Sequence, residues 1–175
     1  MFINLTDVLT SEDKVISVQI ETDMTEVVIG SEAFKIVEKS PVSFTITNIG
    51  KNRAAIKGQV EFVFLLDCDR CLKPVEEKMT LDFFREVSVS DMEEDMSEEN
   101  DDQDFMEGYQ LNVNDLLNNE IMINWPMKVL CKPDCKGICP KCGKDLNTGD
   151  CECDTFVPDP RMAVIKDIFN ANKEV

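Results

Sequence analysis

Between residues 14 and 87 apolar and polar residues alternate with the period of two that marks a half-buried strand. Ile16, Val18 and Ile20 share one parity, and so do Val42, Phe44 and Ile46. Asn48-Ile49-Gly50-Lys51-Asn52 has the composition of a turn. The longest alternating run follows, with Ile56, Gly58, Val60, Phe62, Phe64 and Leu66 on one face. It leads into Asp67-Cys68-Asp69-Arg70-Cys71 and then Lys73-Pro74, after which Met79, Leu81 and Phe83 again share a parity. Cys68 and Cys71 are therefore predicted to lie in a tight turn between two antiparallel strands. The expected core is a small antiparallel sheet or barrel.

The pattern breaks at Asp91. From Asp91 to Glu107 ten residues are acidic and none is basic. Such a run buries too little apolar surface to offset the entropy of ordering, so a disordered acidic loop is expected over 91–107. Periodicity returns at Leu111. Val113, Leu116, Leu117, Glu120 and Ile121 have helical spacing, Asn112 or Asn114 suits the N-cap, and Trp125-Pro126 ends the element. A second helix is expected from Asp159-Pro160-Arg161, with Met162, Ile165, Ile168 and Phe169 as its apolar stripe. The predicted class is α+β: an antiparallel β-rich region over 1–90, the acidic loop, and a helical and zinc-knuckle region over 108–175 packed on the same domain.

The cysteines change the picture most. There are 8 and no histidine. The N-terminal residues Met1 to Asp7 lack the basic and apolar regions of a secretory signal, and no apolar run is long enough for a membrane span. A cytoplasmic chain is expected, in which clustered thiols serve as metal ligands rather than as disulfides. Cys139-Pro140-Lys141-Cys142-Gly143 has the form of a zinc knuckle, in which two sulfurs face one ion while glycine relieves the tight turn. Cys151-Glu152-Cys153 closes a first site with Cys139 and Cys142. Cys68, Cys71, Cys131 and Cys135 form a candidate second site. A competing partition takes Cys135 or Cys131 into the C-terminal site and leaves the others free. Sulfur ligation suits zinc, with iron as the other metal to consider. Closed all-cysteine sites leave no position for water, so a structural role is expected. Without histidine there is no imidazole-based triad, and no Gly-rich phosphate loop or nucleophile motif is visible. The chain is expected not to be an enzyme and to have no small-molecule substrate.

Charge narrows the partners. Lys+Arg 18 against Asp+Glu 35 gives a net −17, which repels a phosphate backbone at long range. Removing the acidic loop leaves the chain acidic. Yet between Lys128 and Lys144 five lysines stand against one aspartate. Lys132, Lys136, Lys141 and Lys144, with Arg70, are the candidate RNA or partner contacts. Four thiolates around one zinc carry about −2 overall, which partly cancels that local basicity. Trp125 and Tyr109 are single aromatics, too few for a base-stacking surface.

Taken in order, Asp67-Cys68-Asp69-Arg70-Cys71-Leu72, Asn119-Glu120-Ile121, Trp125-Pro126, Cys135-Lys136-Gly137-Ile138-Cys139-Pro140-Lys141-Cys142-Gly143, Leu146-Asn147 and Asp159-Pro160-Arg161 resemble the YceD family. Its members are named large ribosomal RNA subunit accumulation proteins. The resemblance implies a bacterial or plastid cytosolic protein, without known catalysis, that supports accumulation, processing or assembly of large-subunit ribosomal RNA (23S). Some members lack most of the C-terminal cysteines, which points the shared role towards Cys68-Asp69-Arg70-Cys71. The expected partners are precursor RNA of the large subunit, direct or indirect, and a basic ribosomal protein or assembly factor. Two other classes stay open at this point: a zinc-stapled protein–protein adaptor unrelated to ribosomes, and a thiol-redox protein using Cys68 and Cys71.

Overall fold

The structure is a computed structural model that describes residues 1–50, 52–89 and 104–153. The helix expected from Asp159 and most of the acidic stretch, 91–103, lie outside the described residues. The chain divides into two compact units. The first comprises Met1–Asp67 and Pro74–Val129, and the second contains Cys68–Lys73 and the segment from Leu130 onwards. Residues 108–129 thus group with the β-rich region, whereas the Cys68–Lys73 turn groups with the C-terminal cysteines.

The first unit is built on antiparallel strands. In chain order they are β1 (Phe2–Asn4), β2 (Val15–Ile20), β3 (Glu26–Ile29), β4 (Glu32–Lys39), β5 (Val42–Gly50), β6 (Arg53–Asp67), β7 (Pro74–Ser88), β8 (Met106–Glu107) and β9 (Gln110–Asn112). β6 is the spine of the six-stranded sheet. β7 pairs with it along its whole length, from Arg53↔Ser88 to Asp67↔Pro74. On the other edge β5 pairs with its first half and β4 with its second, while β2 extends from β5 and β3 from β4. A smaller sheet has the order β1-β9-β8. The alternation in sequence is the alternation in burial: Ile56, Val60, Phe62, Phe64 and Leu66 face the core, as do Val42, Phe44 and Ile46 from β5 and Leu81 and Phe83 from β7.

Gly58 shows why the parity of β6 tolerates a glycine. Its cross-strand neighbours are Phe44 on one side and Phe83 on the other. The two rings meet edge to face, 6.2 Å between centroids at 69°, and a Cβ on Gly58 would fall within the Phe83 ring. Gly58→Ala should therefore lower stability by about 1–3 kcal/mol through overpacking, despite alanine's lower chain entropy. A urea titration that left the midpoint unchanged would mean that the rings repack freely.

Two helices occur among the described residues, α1 (Thr6–Thr10) and α2 (Val113–Ile123), so these residues are mostly β and the expected short helices are few among them. One of the two precedes the sheet. α1 is too short to print a helical period, and it is held instead by tertiary contacts. Asn48 reaches from β5 to donate from Nδ2 to the carbonyls of Val8 and Leu9 at 2.6 and 3.2 Å, groups that a helix end leaves orphaned. α2 follows the reading from sequence. Asn112 is the N-cap, accepting from the Asn114 amide at 3.2 Å, and Val113, Leu116, Leu117, Glu120 and Ile121 are buried. The β3–β4 hairpin, whose individual strands the alternation did not resolve, turns at Gly30 with φ 64.

The acidic stretch needs a correction at its end. Phe105 is 3% exposed and Met106–Glu107 pair with β9, so ordered structure resumes before residue 107. One aromatic side chain anchors the core there while the neighbouring carboxylates face out. Trp125, weighed above as a base-stacking group, instead packs against Phe34 and Phe64 at 4.8 and 5.2 Å. Tyr109 is partly buried against the core. No helix among the described residues is long and apolar enough to cross a membrane.

Candidate metal centres

The six residues between β6 and β7 fold as a knuckle. Cys68 N–H donates to Lys73 O at 2.8 Å, and Leu72 N–H donates to Cys68 O at 2.9 Å. Leu72 takes φ 58. The C-terminal knuckle repeats this residue for residue. Cys139 N–H donates to Lys144 O at 2.9 Å, Gly143 N–H donates to Cys139 O at 2.8 Å, and Gly143 takes φ 72. Both turns therefore close on a left-handed residue directly after the second cysteine. Glycine does this at no steric cost, whereas Leu72 carries the strain of a Cβ and is 63% exposed. Leu72→Gly should raise the stability of this unit, by up to about 1 kcal/mol after the entropy cost of glycine in the unfolded chain. A lower denaturation midpoint would instead mean that the leucine side chain makes contacts worth more than its strain.

Each knuckle gains a second pair of sulfurs. Cys68, Cys71, Cys131 and Cys135 come together, and so do Cys139, Cys142, Cys151 and Cys153, with all sulfurs of a group within 4.8 Å of one another. In the first group Cys68 Sγ is 3.8 Å from Cys135 Sγ, and Cys71 Sγ is 3.5 Å from Cys131 Sγ. Four sulfurs at the Zn–S bond length of about 2.3 Å lie roughly 3.8 Å apart in a tetrahedron, so the donor set and its spacing fit one ion. The competing partition, in which Cys131 or Cys135 joins the C-terminal group, is not the arrangement found. Cys68, Cys71 and Cys135 are buried, against Cys139 alone in the other group.

Electrostatics within each group are unbalanced without a cation. Burial pushes the Cys68 thiol up, but the backbone amides of Cys131, Arg70 and Cys71 together outweigh it and bring it down to about 6. The amides of Cys142 and Lys141 bring Cys139 to about 6 in the same way. Cys131, beside the Cys71 sulfur and desolvated, is pushed up to about 12, and Cys153 beside Cys142 is likewise pushed to about 12. In the first group burial also acts against Cys135, but the Asn147 side chain and the Gly137 amide bring it down, while Cys71 and Cys131 are pushed up. In the second Cys139 is brought down while Cys151 and Cys153 are pushed up, because like charges share a small volume. A divalent ion removes that repulsion.

Polar groups around the sulfurs lock the unit. Arg70 Nη1 donates to Cys135 O at 2.6 Å, and Ile138 N–H donates to Arg70 O at 3.1 Å. Gly137, at φ 80, lets that approach happen, since a Cβ there would come 2.9 Å from Arg70 O. Lys73 Nζ pairs with Asp145 Oδ2 at 2.7 Å, and Lys73 first, then the Asn147 amide, holds the Asp145 carboxyl down at about 2. Asn147 accepts from Lys136 N–H at 2.9 Å and donates from Nδ2 to Cys135 Sγ at 3.4 Å.

The candidate RNA contacts are placed unequally. Arg70 is committed to the Cys135 carbonyl, and Lys144 Nζ donates to Asp150 O at 2.7 Å. Lys132 lies 3.9 Å from Asp134. Lys136 and Lys141 are exposed. In the reading from sequence Asp145 only belonged to the loop that joins the last two cysteine pairs, and Asn147 entered only within the Leu146-Asn147 motif of the family resemblance, without a structural role. The available signal was an Asp-x-Asn spacing that makes an Asx turn, with Asn147 N–H donating to Asp145 Oδ1 at 2.8 Å.

Fold and site together define a class: a mostly antiparallel β protein carrying two all-cysteine groups, each able to hold a metal ion. The chain belongs to the family described as large ribosomal RNA subunit accumulation protein YceD, whose match spans residues 56–169. It is also similar to uncharacterized proteins of Mycobacterium bovis and Mycobacterium tuberculosis, at 25% identity over 91 residues, covering 52% of this chain and 44% of each relative. The chain thus aligns with less than half the length of those relatives. No solved structure matches it.

Proposed function

We propose that the protein is a non-catalytic accessory factor in large ribosomal subunit biogenesis, whose cysteine-rich unit is held by two structural zinc ions. The observation that carries the reading is the family match over residues 56–169, with a description that concerns accumulation of the large-subunit RNA. Zinc rather than a multi-iron cluster is favoured by sulfur separations of 3.5 and 3.8 Å, which suit a single tetrahedral ion. Four cysteines per ion leave no position for water, and this supports a structural role. Cys68, Cys71, Cys131 and Cys135 would hold one ion, and Cys139, Cys142, Cys151 and Cys153 the other.

The net −17 directs the main contact towards a basic ribosomal protein or assembly factor. Direct contact with precursor RNA is local in this reading. It falls to Lys136 and Lys141, because Arg70 and Lys144 already bond within the unit. The protein works in the cytoplasm, where ribosomes assemble. The test is depletion of the protein followed by measurement of mature large-subunit RNA against small-subunit RNA. The expected result is a selective fall in the large-subunit species, with tagged protein recovering its precursor or its proteins. An unchanged ratio together with a pull-down free of large-subunit components would overturn the reading.

A further inference from the structure

The loop between Cys142 and Cys151 belongs by connectivity to the C-terminal cysteine group, yet its middle serves the other one. Asn147 Nδ2 donates to Cys135 Sγ at 3.4 Å, and Asn147 Oδ1 accepts from the amide of Lys136, the residue after that cysteine, at 2.9 Å. Asp145 Oδ1 steadies the same side chain at 2.8 Å, while Asp145 Oδ2 holds Lys73, two residues beyond Cys71, at 2.7 Å. The strand-like contact between Ile138 and Asp145, with Leu146 N–H donating to Gly137 O at 2.9 Å, fixes the height of the loop. The ends of the loop run into Cys142 and Cys151, and its start is tied to the same group by Gly143 N–H donating to Cys139 O at 2.8 Å and Cys139 N–H donating to Lys144 O at 2.9 Å.

We propose that the C-terminal cysteine group governs how firmly metal is kept at Cys68, Cys71, Cys131 and Cys135, with Asn147 as the positioning residue that carries the coupling. The inference rests on the reading that both groups bind zinc. A hydrogen bond to a ligating thiolate fixes its direction and spreads its charge, and such outer contacts govern metal affinity. When Cys142 and Cys151 hold a metal the loop is short and pinned, so the Asn147 amide is pre-positioned on Cys135. When that metal leaves, the loop gains conformational freedom and the hydrogen bond must be formed against it. The order of loss follows from exposure. Three of the four ligands are buried in the Cys68 group but only Cys139 in the C-terminal one, so a competing ligand reaches the C-terminal metal first.

The test uses the full-length chain, reduced and loaded with zinc, in four forms: the natural sequence, Asn147→Ala, Cys151→Ser with Cys153→Ser, and all three changes together. Native mass spectrometry counts zinc as a chelator is raised, and alkylation mapped by peptide mass reports which cysteines have been released. In the natural sequence Cys142, Cys151 and Cys153 are expected to label before Cys68, Cys71 and Cys135. Asn147→Ala and the double cysteine change should each weaken zinc retention at the Cys68 group roughly 10- to 100-fold, and the combination no more than either alone. A fifth form, Asn147→Asp, replaces the N–H donor with a carboxylate oxygen facing Asp145 Oδ1 and the Cys135 sulfur, and should weaken retention at least as much as Asn147→Ala. Unchanged retention in Asn147→Ala, or losses that multiply in the combination, would overturn the coupling while leaving two zinc sites standing. A reduced natural chain that takes up no zinc would defeat the zinc reading itself and the inference with it.

Discussion

Removing metal from the reduced chain is expected to unfold the cysteine-rich unit and leave the sheet standing. The reason is the content of that unit's interior. Among its described residues the buried apolar side chains are Cys68, Cys71, Cys135 and Cys139, with no aliphatic or aromatic residue among them. Ile138 and Leu146 are only half-buried. A segment of this size without an apolar core does not offset its own chain entropy. Structural zinc supplies apparent binding energies of about 10–16 kcal/mol in small cysteine-rich peptides, which is folding energy for such a unit. Hydrogen exchange read by mass spectrometry checks it. Amides of Cys139, Gly143 and Leu146 should lose nearly all protection after chelation, whereas amides of β6 opposite β5 and β7 should keep theirs. Protection that survives at residues 135–147 in the metal-free, reduced chain would show that the unit folds on hydrogen bonds alone.

The second large effect concerns the sheet unit. Arg85 on β7 donates from Nε to Glu120 Oε1 on α2 at 2.6 Å, and the Glu120 side chain is 2% exposed. Arg85→Ala would strand a carboxylate in the core, with an expected loss of about 3–5 kcal/mol. Replacing both partners, Arg85→Met with Glu120→Leu, should recover most of that loss, because a buried pair is costly to break but cheap to exchange for apolar packing. Urea midpoints for the two variants decide it. An Arg85→Ala protein as stable as the natural one would mean that Glu120 finds water or another donor.

How much of this was legible depended on the range of each interaction. β2, β5, β6 and β7 printed their parity because each has one face in the core and one in water, and burial follows that alternation residue by residue. α2 was legible from its cap and its stripe. α1 was not, because five residues carry no helical period and the groups that end it come from Asn48, about forty residues away. Phe105 was hidden by its acidic neighbours, since composition averages over a window and burial acts on single side chains. The resemblance carried by the ordered motifs agrees with the family match over residues 56–169.

The candidate site divides the same way. The knuckles were visible as Cys-x2-Cys spacings, and Gly143 marked the left-handed turn of one of them. Leu72 gave no sign that it would adopt the same conformation, because a leucine rarely does. Which cysteine pair joins which is a matter of the tertiary fold, and spacing left two partitions open. The role of Asn147 was out of reach for the same reason: its partners Cys135 and Lys136 are a dozen residues away, and no local pattern states that their loops meet.

As proposed, the eight cysteines form two closed metal sites on which the fold of residues 130–153 depends. Native mass spectrometry of the reduced full-length chain, paired with elemental analysis, tests it directly. The expected result is two zinc ions per chain and protection of all eight cysteines from alkylation until a chelator is added. A chain with no bound metal and eight reactive thiols, prepared without chelator, would contradict it.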